Sequence, residues 1–178
     1  MYQLIRLVIG VAFLAAILVA VAFVLPSNIS VARATVVNAP EGDVFPFLNS
    51  PRQFNRWSPW AARDPKTAYT FSGPPQGKGA RMEWKSEHPQ VGSGTQEIVE
   101  SRLNSYVEVA LDFGDMGNAT ATYRLTPAGA GTKVTWGFNT DVGANPLMRW
   151  MGLMFDRWVG ADYEDGLGRL KKLVESGG

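Results

Sequence analysis

The chain opens on an unbroken apolar stretch. Residues 7–25 read LVIGVAFLAAILVAVAFVL, without one charged or strongly polar side chain, and as a helix rising ~1.5 Å per residue such a run is about 28 Å long, the thickness of a bilayer's hydrocarbon. It is apolar on every side, whereas a core helix of a soluble domain keeps a polar stripe. The reading is a transmembrane anchor over 1–27, crossing once, followed by a single domain over 28–178. The small-x-small triplet Ala32-Arg33-Ala34 offers the alternative of a secretory cleavage site. Against it, the apolar run is longer than the usual ~7–15 residues of a signal segment, the triplet lies well beyond its end, and cleavage there removes the start of a strand. Arg6 and the α-amino group precede the run and Arg33 follows it, a bias that places the domain outside the cytoplasm.

After the Pro26-Ser27-Asn28 break, Val31 to Val37 is rich in β-branched residues and predicts a first strand on a tether of a few residues. Turn chemistry at 38–43 gives way to Val44, Phe45, Phe47 and Leu48, spaced for a short helix, and Ser50-Pro51 predicts the N-cap and first position of a second short helix through Phe54. Beyond Asp64-Pro65 the period changes to two. Ala68–Phe71, Arg81–Lys85, Thr95–Glu100 and then three runs alternating at Val107, Val109, Leu111 and Phe113, at Ala119, Ala121, Tyr123 and Leu125, and at Val134, Trp136 and Phe138 predict an antiparallel meander with one apolar face. Asn145-Pro146 starts a long C-terminal helix whose Phe155, Val159, Tyr163, Leu167, Leu170 and Val174 form the face laid on the sheet. The first turns of that helix, 147–155, are apolar nearly all round and need a second partner: a ligand, another chain or the membrane surface.

Composition narrows the chemistry. Of 178 residues 19% are charged and the net charge is +1, so there is no field to draw nucleic acid. The absence of cysteine removes thiol nucleophiles and thiolate metal sites. His88 is the one histidine, and it sits in the turn-rich run 86–94 between two strands, a poor place for a catalytic triad. No metal and no cofactor are expected. Glu83, Glu108, Asp112 and Asp115 are the carboxylates available to an acid–base mechanism, yet strand alternation assigns the first three to the solvent face. Gly77-Lys78-Gly79 and Gly92-Ser93-Gly94 lack the strand before and helix after that a phosphate loop requires, and read as turns.

The order of strand, two short helices, six strands and long helix, with 36-VVNAPEGDVF-45, Trp57-Ser58-Pro59-Trp60, Asp64-Pro65 and 131-GTKVTW-136, resembles the START-like superfamily of helix-grip domains, also called SRPBCC or polyketide cyclase/dehydrase-like. The resemblance covers nearly everything after residue 30. It implies an α+β fold in which a curved antiparallel sheet of about seven strands wraps the C-terminal helix around a ligand cavity. The inward residues Met82, Trp84, Leu111, Tyr123, Trp136, Met148, Met151 and Phe155 would then line that chamber, mixing flat aromatics with adaptable thioethers, although packing the core is an equal use for them. Trp57 and Trp60 fall in a stretch read as loop, where large apolar side chains suggest a lid or pocket mouth.

Three functions follow from this reading. The first is a membrane-tethered binder or carrier of a lipid or other hydrophobic small molecule. The second is an enzyme of cyclase, dehydratase or hydrolase type, requiring an ionisable group such as Tyr123 or Arg124 deep in the chamber. The third is an interaction module, a homodimer joined through Leu147 to Met154. They are separated by the shape and polarity of the space between sheet and helix.

Overall fold

A computed structural model describes residues 1–177 of the chain. Helix α1, Tyr2–Ala22, stands out from the rest with only Ala22 buried, so it forms no part of the interior. It is long and apolar enough to cross a membrane, as a signal sequence also is. After five intervening residues the chain enters strand β1, Asn28–Val37, three residues earlier than the β-branched run suggests.

Between β1 and the next strand lie three short helices, α2 (Glu41–Leu48), α3 (Pro51–Phe54) and α4 (Pro59–Arg63), where the pattern predicts two. The unforeseen α4 follows the Ser-Pro rule used elsewhere: Ser58 Oγ accepts from the amide of Ala61 and Pro59 takes the first position. At α3 the rule holds only in part, because Ser50 Oγ donates to the carbonyl of Pro75 and leaves the helix uncapped by side chain.

Strands β2 (Ala68–Ser72), β3 (Arg81–Lys85), β4 (Ser93–Arg102), β5 (Tyr106–Asp112), β6 (Asn118–Ala128) and β7 (Gly131–Asp141) complete a seven-stranded antiparallel sheet in the order β1-β7-β6-β5-β4-β3-β2. Consecutive strands pair as neighbours except that β1 returns to close against β7. The register puts Val109, Ala121 and Phe138 in one row and Val107, Tyr123 and Trp136 in the next, which is why the period-two pattern in the sequence becomes one continuous apolar surface. A bulge between Ile98 and Glu100 interrupts the pairing of β4 with β5 and adds local twist.

Helix α5, Pro146–Glu175, begins at an Asn145 cap whose Oδ1 accepts from the amides of Leu147 and Met148. Its two halves behave differently. The second half is packed: Tyr163, Leu167, Leu170 and Val174 are buried with Val37, Val44, Leu48, Trp57 and Val134 in a single core. Lys171 Nζ donates to the carbonyl of Val36, and Glu175 accepts from the amide of Asn38, fixing that end on β1. Midway, Arg33 of β1 reaches Asp156 at 2.9 Å and Glu164 at 2.6 Å, so this residue, counted as a flanking charge in the topology argument, is committed to holding the helix. In the first half, Leu147, Leu153, Met154 and Trp158 are exposed.

A chamber between sheet and helix

Where α5 and the sheet diverge they leave a cavity of about 740 Å³, within the size range of sites for small organic ligands. Its floor is the inner face of β5, β6 and β7, its roof the first half of α5, and its ends Phe54 and Trp60 on one side and the β3–β4 loop with the turn at 115–118 on the other. Nine of the ten residues singled out from sequence sit on its wall: Trp60, Met82, Trp84, Leu111, Tyr123, Trp136, Met148, Met151 and Phe155. Trp57 does not. It is 1% exposed, donates from Nε1 to the carbonyl of Phe47 and packs edge-on against Phe54 and Trp136. The turn after α3, where the amide of Trp57 donates to the carbonyl of Phe54, carries Trp57 inward as core, and α4 carries Trp60 to the chamber wall.

The aromatic floor is tightly ordered. Trp136 stacks on Tyr163 at 3.7 Å and 12° between ring planes, with Tyr123 tilted beside it at 5.5 Å and Trp60 edge-on at 5.9 Å. Gly166 makes this stack possible, since a β-carbon there would stand 2.7 Å from Cζ3 of Trp136 and 3.2 Å from Cδ of Pro59. Tyr163, Val109, Phe138, Trp158 and Val159 also line the space, and inward-facing alternation marked the strand members of that group without distinguishing wall from filling.

Polar side chains are a minority of the lining, among them Asn55, Ser58, Gln96, Asn118 and Asn145. Both phenols beside Trp136, Tyr123 on β6 and Tyr163 on α5, are buried, and loss of water pushes their titration upward, for Tyr123 with a further rise from neighbouring Tyr163. They are therefore neutral hydrogen-bonding groups at any physiological pH. Asp162, at the rim, is paired with Arg63 of α4. Arg124, the other ionisable candidate for the interior, is exposed on the outer face over the ring of Tyr106. Of the surface carboxylates, Asp115 stands at the mouth, while Glu108 accepts from the hydroxyl of Tyr106. His88 lies in the loop joining β3 and β4, its Nδ1 accepting from the amide of Gln90. Among the described residues no cluster of potential ligands is able to hold a metal ion.

With this geometry in view, comparison with known proteins is informative. Residues 28–175 match the model of the family described as polyketide cyclase/dehydrase and lipid transport. No curated protein sequence matches significantly. Solved structures are similar in fold: protein CV1439 from Chromobacterium violaceum is 17% identical over 83% of this chain and 98% of its own, with a TM-score of 0.60. DynU16, from the dynemicin biosynthetic locus, is 17% identical over 83% of this chain and 48% of its own (TM-score 0.58), and the Aha1 dimer from Colwellia psychrerythraea is 13% identical over 84% and 98% (TM-score 0.52). Identities this low speak for the helix-grip fold alone.

Proposed function

Because the chain belongs to the polyketide cyclase/dehydrase and lipid transport family, we propose that it binds or carries a lipid or other hydrophobic small molecule in the chamber, with α1 as the anchor holding domain 28–178 at a membrane. The observation that carries this reading is a 740 Å³ space walled by aromatic and methionine side chains, with no cationic residue on its wall among those described. An apolar guest in this space makes dispersion contacts with its walls and leaves water.

The enzymatic alternative is less well supported. General acid–base catalysis works best with a group that titrates near the operating pH, whereas burial moves Tyr123 and Tyr163 away from it and Asp162 is neutralised by Arg63.

Support for the anchor comes from the joint between α1 and α5. Arg149 Nη1 donates to the carbonyls of Phe23 and Leu25 at 3.1 and 3.0 Å, closing the C-terminal end of α1, and Trp150 Nε1 donates to the carbonyl of Leu18 at 3.1 Å. The end of α1 has no basic residue of its own, so the guanidinium supplies the cation that a helix C-terminus favours. The exposed Leu147, Leu153 and Met154 lie beside this joint, and we assign them to the headgroup region of the bilayer in preference to a second copy of the chain.

The test is native mass spectrometry of the full chain released from membranes in mild detergent. A co-purifying lipophile of defined mass is the expected result. A protein that is consistently empty, and stays so with a panel of lipids, refutes the binding role. Cross-linking in the membrane that traps a dimer through 147–154 refutes the assignment of that face to lipid.

A further inference from the structure

One end of the chamber is tied to α1 twice. The amide of Val142, a residue of the chamber wall, donates at 2.9 Å to the carbonyl of Ser27, five residues beyond the end of α1. On the first turns of α5, Trp150 Nε1 donates to the carbonyl of Leu18. Leu18 lies four residues before the end of α1, which is about 6 Å along its axis at ~1.5 Å per residue. An indole is at home at that depth in a bilayer, its ring among apolar chains and its N–H on a polar atom. With α1 spanning, these turns of α5 stand at the level where acyl chains meet headgroups.

The outer surface of the same turns is apolar. Leu147, Met151, Met154 and Trp158 are all exposed, and spacings of four, three and four place them in one stripe along the helix. Met151 and Trp158 are also on the chamber wall, so the stripe is continuous with the interior. The wall reaches the surface again at the turn 115–118, where Met116 is 70% exposed. On its other flank α5 is clamped to β1: a β-carbon on Gly152 would stand 2.8 Å from Cδ1 of Ile29, and Arg33 bridges Asp156 and Glu164. That clamp fixes the stripe in its outward orientation. The charged lining residues that reach the surface are Asp115 and Asp141, which suit a zwitterionic lipid surface better than an anionic one.

Resting on the binding and anchoring reading above, we infer that the chamber exchanges its guest directly with the bilayer that holds α1, through a mouth bordered by Met116, Met151 and Trp158. The stripe on α5 lies against lipid and leads from the acyl chains to the interior. A guest that desorbed into water first would expose its whole apolar surface on the way, and this route spares it that step. Exchange is confined to one membrane: the domain loads from the lipid it is anchored in and returns its guest there.

The experiment uses the full chain reconstituted in phosphatidylcholine vesicles, and the probe is hexadecanol bearing a mid-chain diazirine, which attaches to nearby residues on illumination. The probe is placed either in the vesicles that hold the protein or in separate vesicles, and adducts on the chamber wall at Met148 and Phe155 are followed in time by mass spectrometry. Loading from the protein's own vesicle is expected to be about tenfold faster or more, because only the other arrangement includes desorption into water. In a Leu147→Asp, Met154→Asp double variant, which alters no lining residue, that loading should slow by about tenfold with the final adduct yield unchanged, since two apolar side chains lose their contact with lipid. Equal rates in the two arrangements, with chamber adducts in both, overturn the inference and leave the binding reading intact; so does a folded variant that loads as fast as the wild type. The wild-type comparison decides the matter should the variant fail to fold. Adducts confined to α1 and the stripe, with none in the chamber, overturn the inference and the binding reading together. A chain that does not stay with the vesicles overturns the anchor and the inference with it.

Discussion

Filling the chamber by one side chain separates an open interior from a solid one by the sign of a stability change. Ala121 is on β6, 4% exposed, on the cavity wall, with Val109 and Phe138 as its cross-strand neighbours. Replacing it with leucine adds three carbons, and if they enter empty apolar space each contributes about 0.8 kcal/mol, roughly 2.4 kcal/mol in all. Restricting the new rotamers costs about 0.5–1 kcal/mol, which leaves a net gain of roughly 1.5 kcal/mol. For a domain of this size that is a rise in melting temperature of about 3–6 °C. In a close-packed core the same substitution forces strained rotamers and costs about 1–3 kcal/mol. The measurement is guanidinium unfolding of the delipidated full chain in nanodiscs, followed by tryptophan fluorescence. An unchanged denaturant slope with a higher midpoint is expected, together with weaker binding of any probe that fills the chamber. A loss of 1 kcal/mol or more at constant slope refutes the open space beside Ala121, and with it the argument from volume.

Gly166→Ala should destabilise by about 1–2 kcal/mol, because the methyl meets Trp136 and Pro59 at 2.7 and 3.2 Å and the overpacking outweighs the roughly 0.8–1 kcal/mol that alanine gains over glycine in a helix. Gly168→Ala, where a methyl meets nothing, should instead stabilise by about that helix term, and a denaturation series on both checks the pair. Asp64 accepts from Ser86 Oγ and from the amide of Lys66, contacts that hold its carboxyl below the ordinary 3.8. A depressed carboxyl stabilises the fold above its unfolded value and loses that contribution as pH falls through the folded one, so the loop at 86–92 should become sensitive to an acid-active protease below about pH 3.8, and Asp64→Asn should show the same nicking at neutral pH. Arg149→Ala leaves the carbonyls of Phe23 and Leu25 without this donor. Spin labels on α1 and on the exposed surface of α5 should then give a broadened distance distribution, and a distribution as narrow as the wild type's would show that Arg149 does not hold the joint.

The parts of the molecule that were readable in advance are those where one period governs one environment. Alternation along β5, β6 and β7 named the inward residues correctly because each strand has one face on the interior and one on solvent, and the three- and four-residue spacing of Tyr163, Leu167, Leu170 and Val174 named the buried face of α5. Helix α4 was missed although Ser58-Pro59 repeats the cap-and-proline signature that located the still shorter α3, because the two tryptophans on either side of Pro59 were read as loop, and Trp57, in the turn before it, was placed at the pocket mouth instead of in the core. The stack of Trp136 on Tyr163 had no signal in the sequence at all, because it arises from three elements meeting: β7, α5 at Gly166, and α4 at Pro59. The chamber itself left one trace. Two successive inward positions on a central strand, Ala119 and Ala121, carry the smallest apolar side chain at the place where a filled core calls for Leu, Ile or Phe, while the facing turns of α5 carry Met148, Met151 and Phe155. Those long side chains reach only part of the way to the shortened floor, and a protein interior with no use for the remaining volume would have been expected to close it.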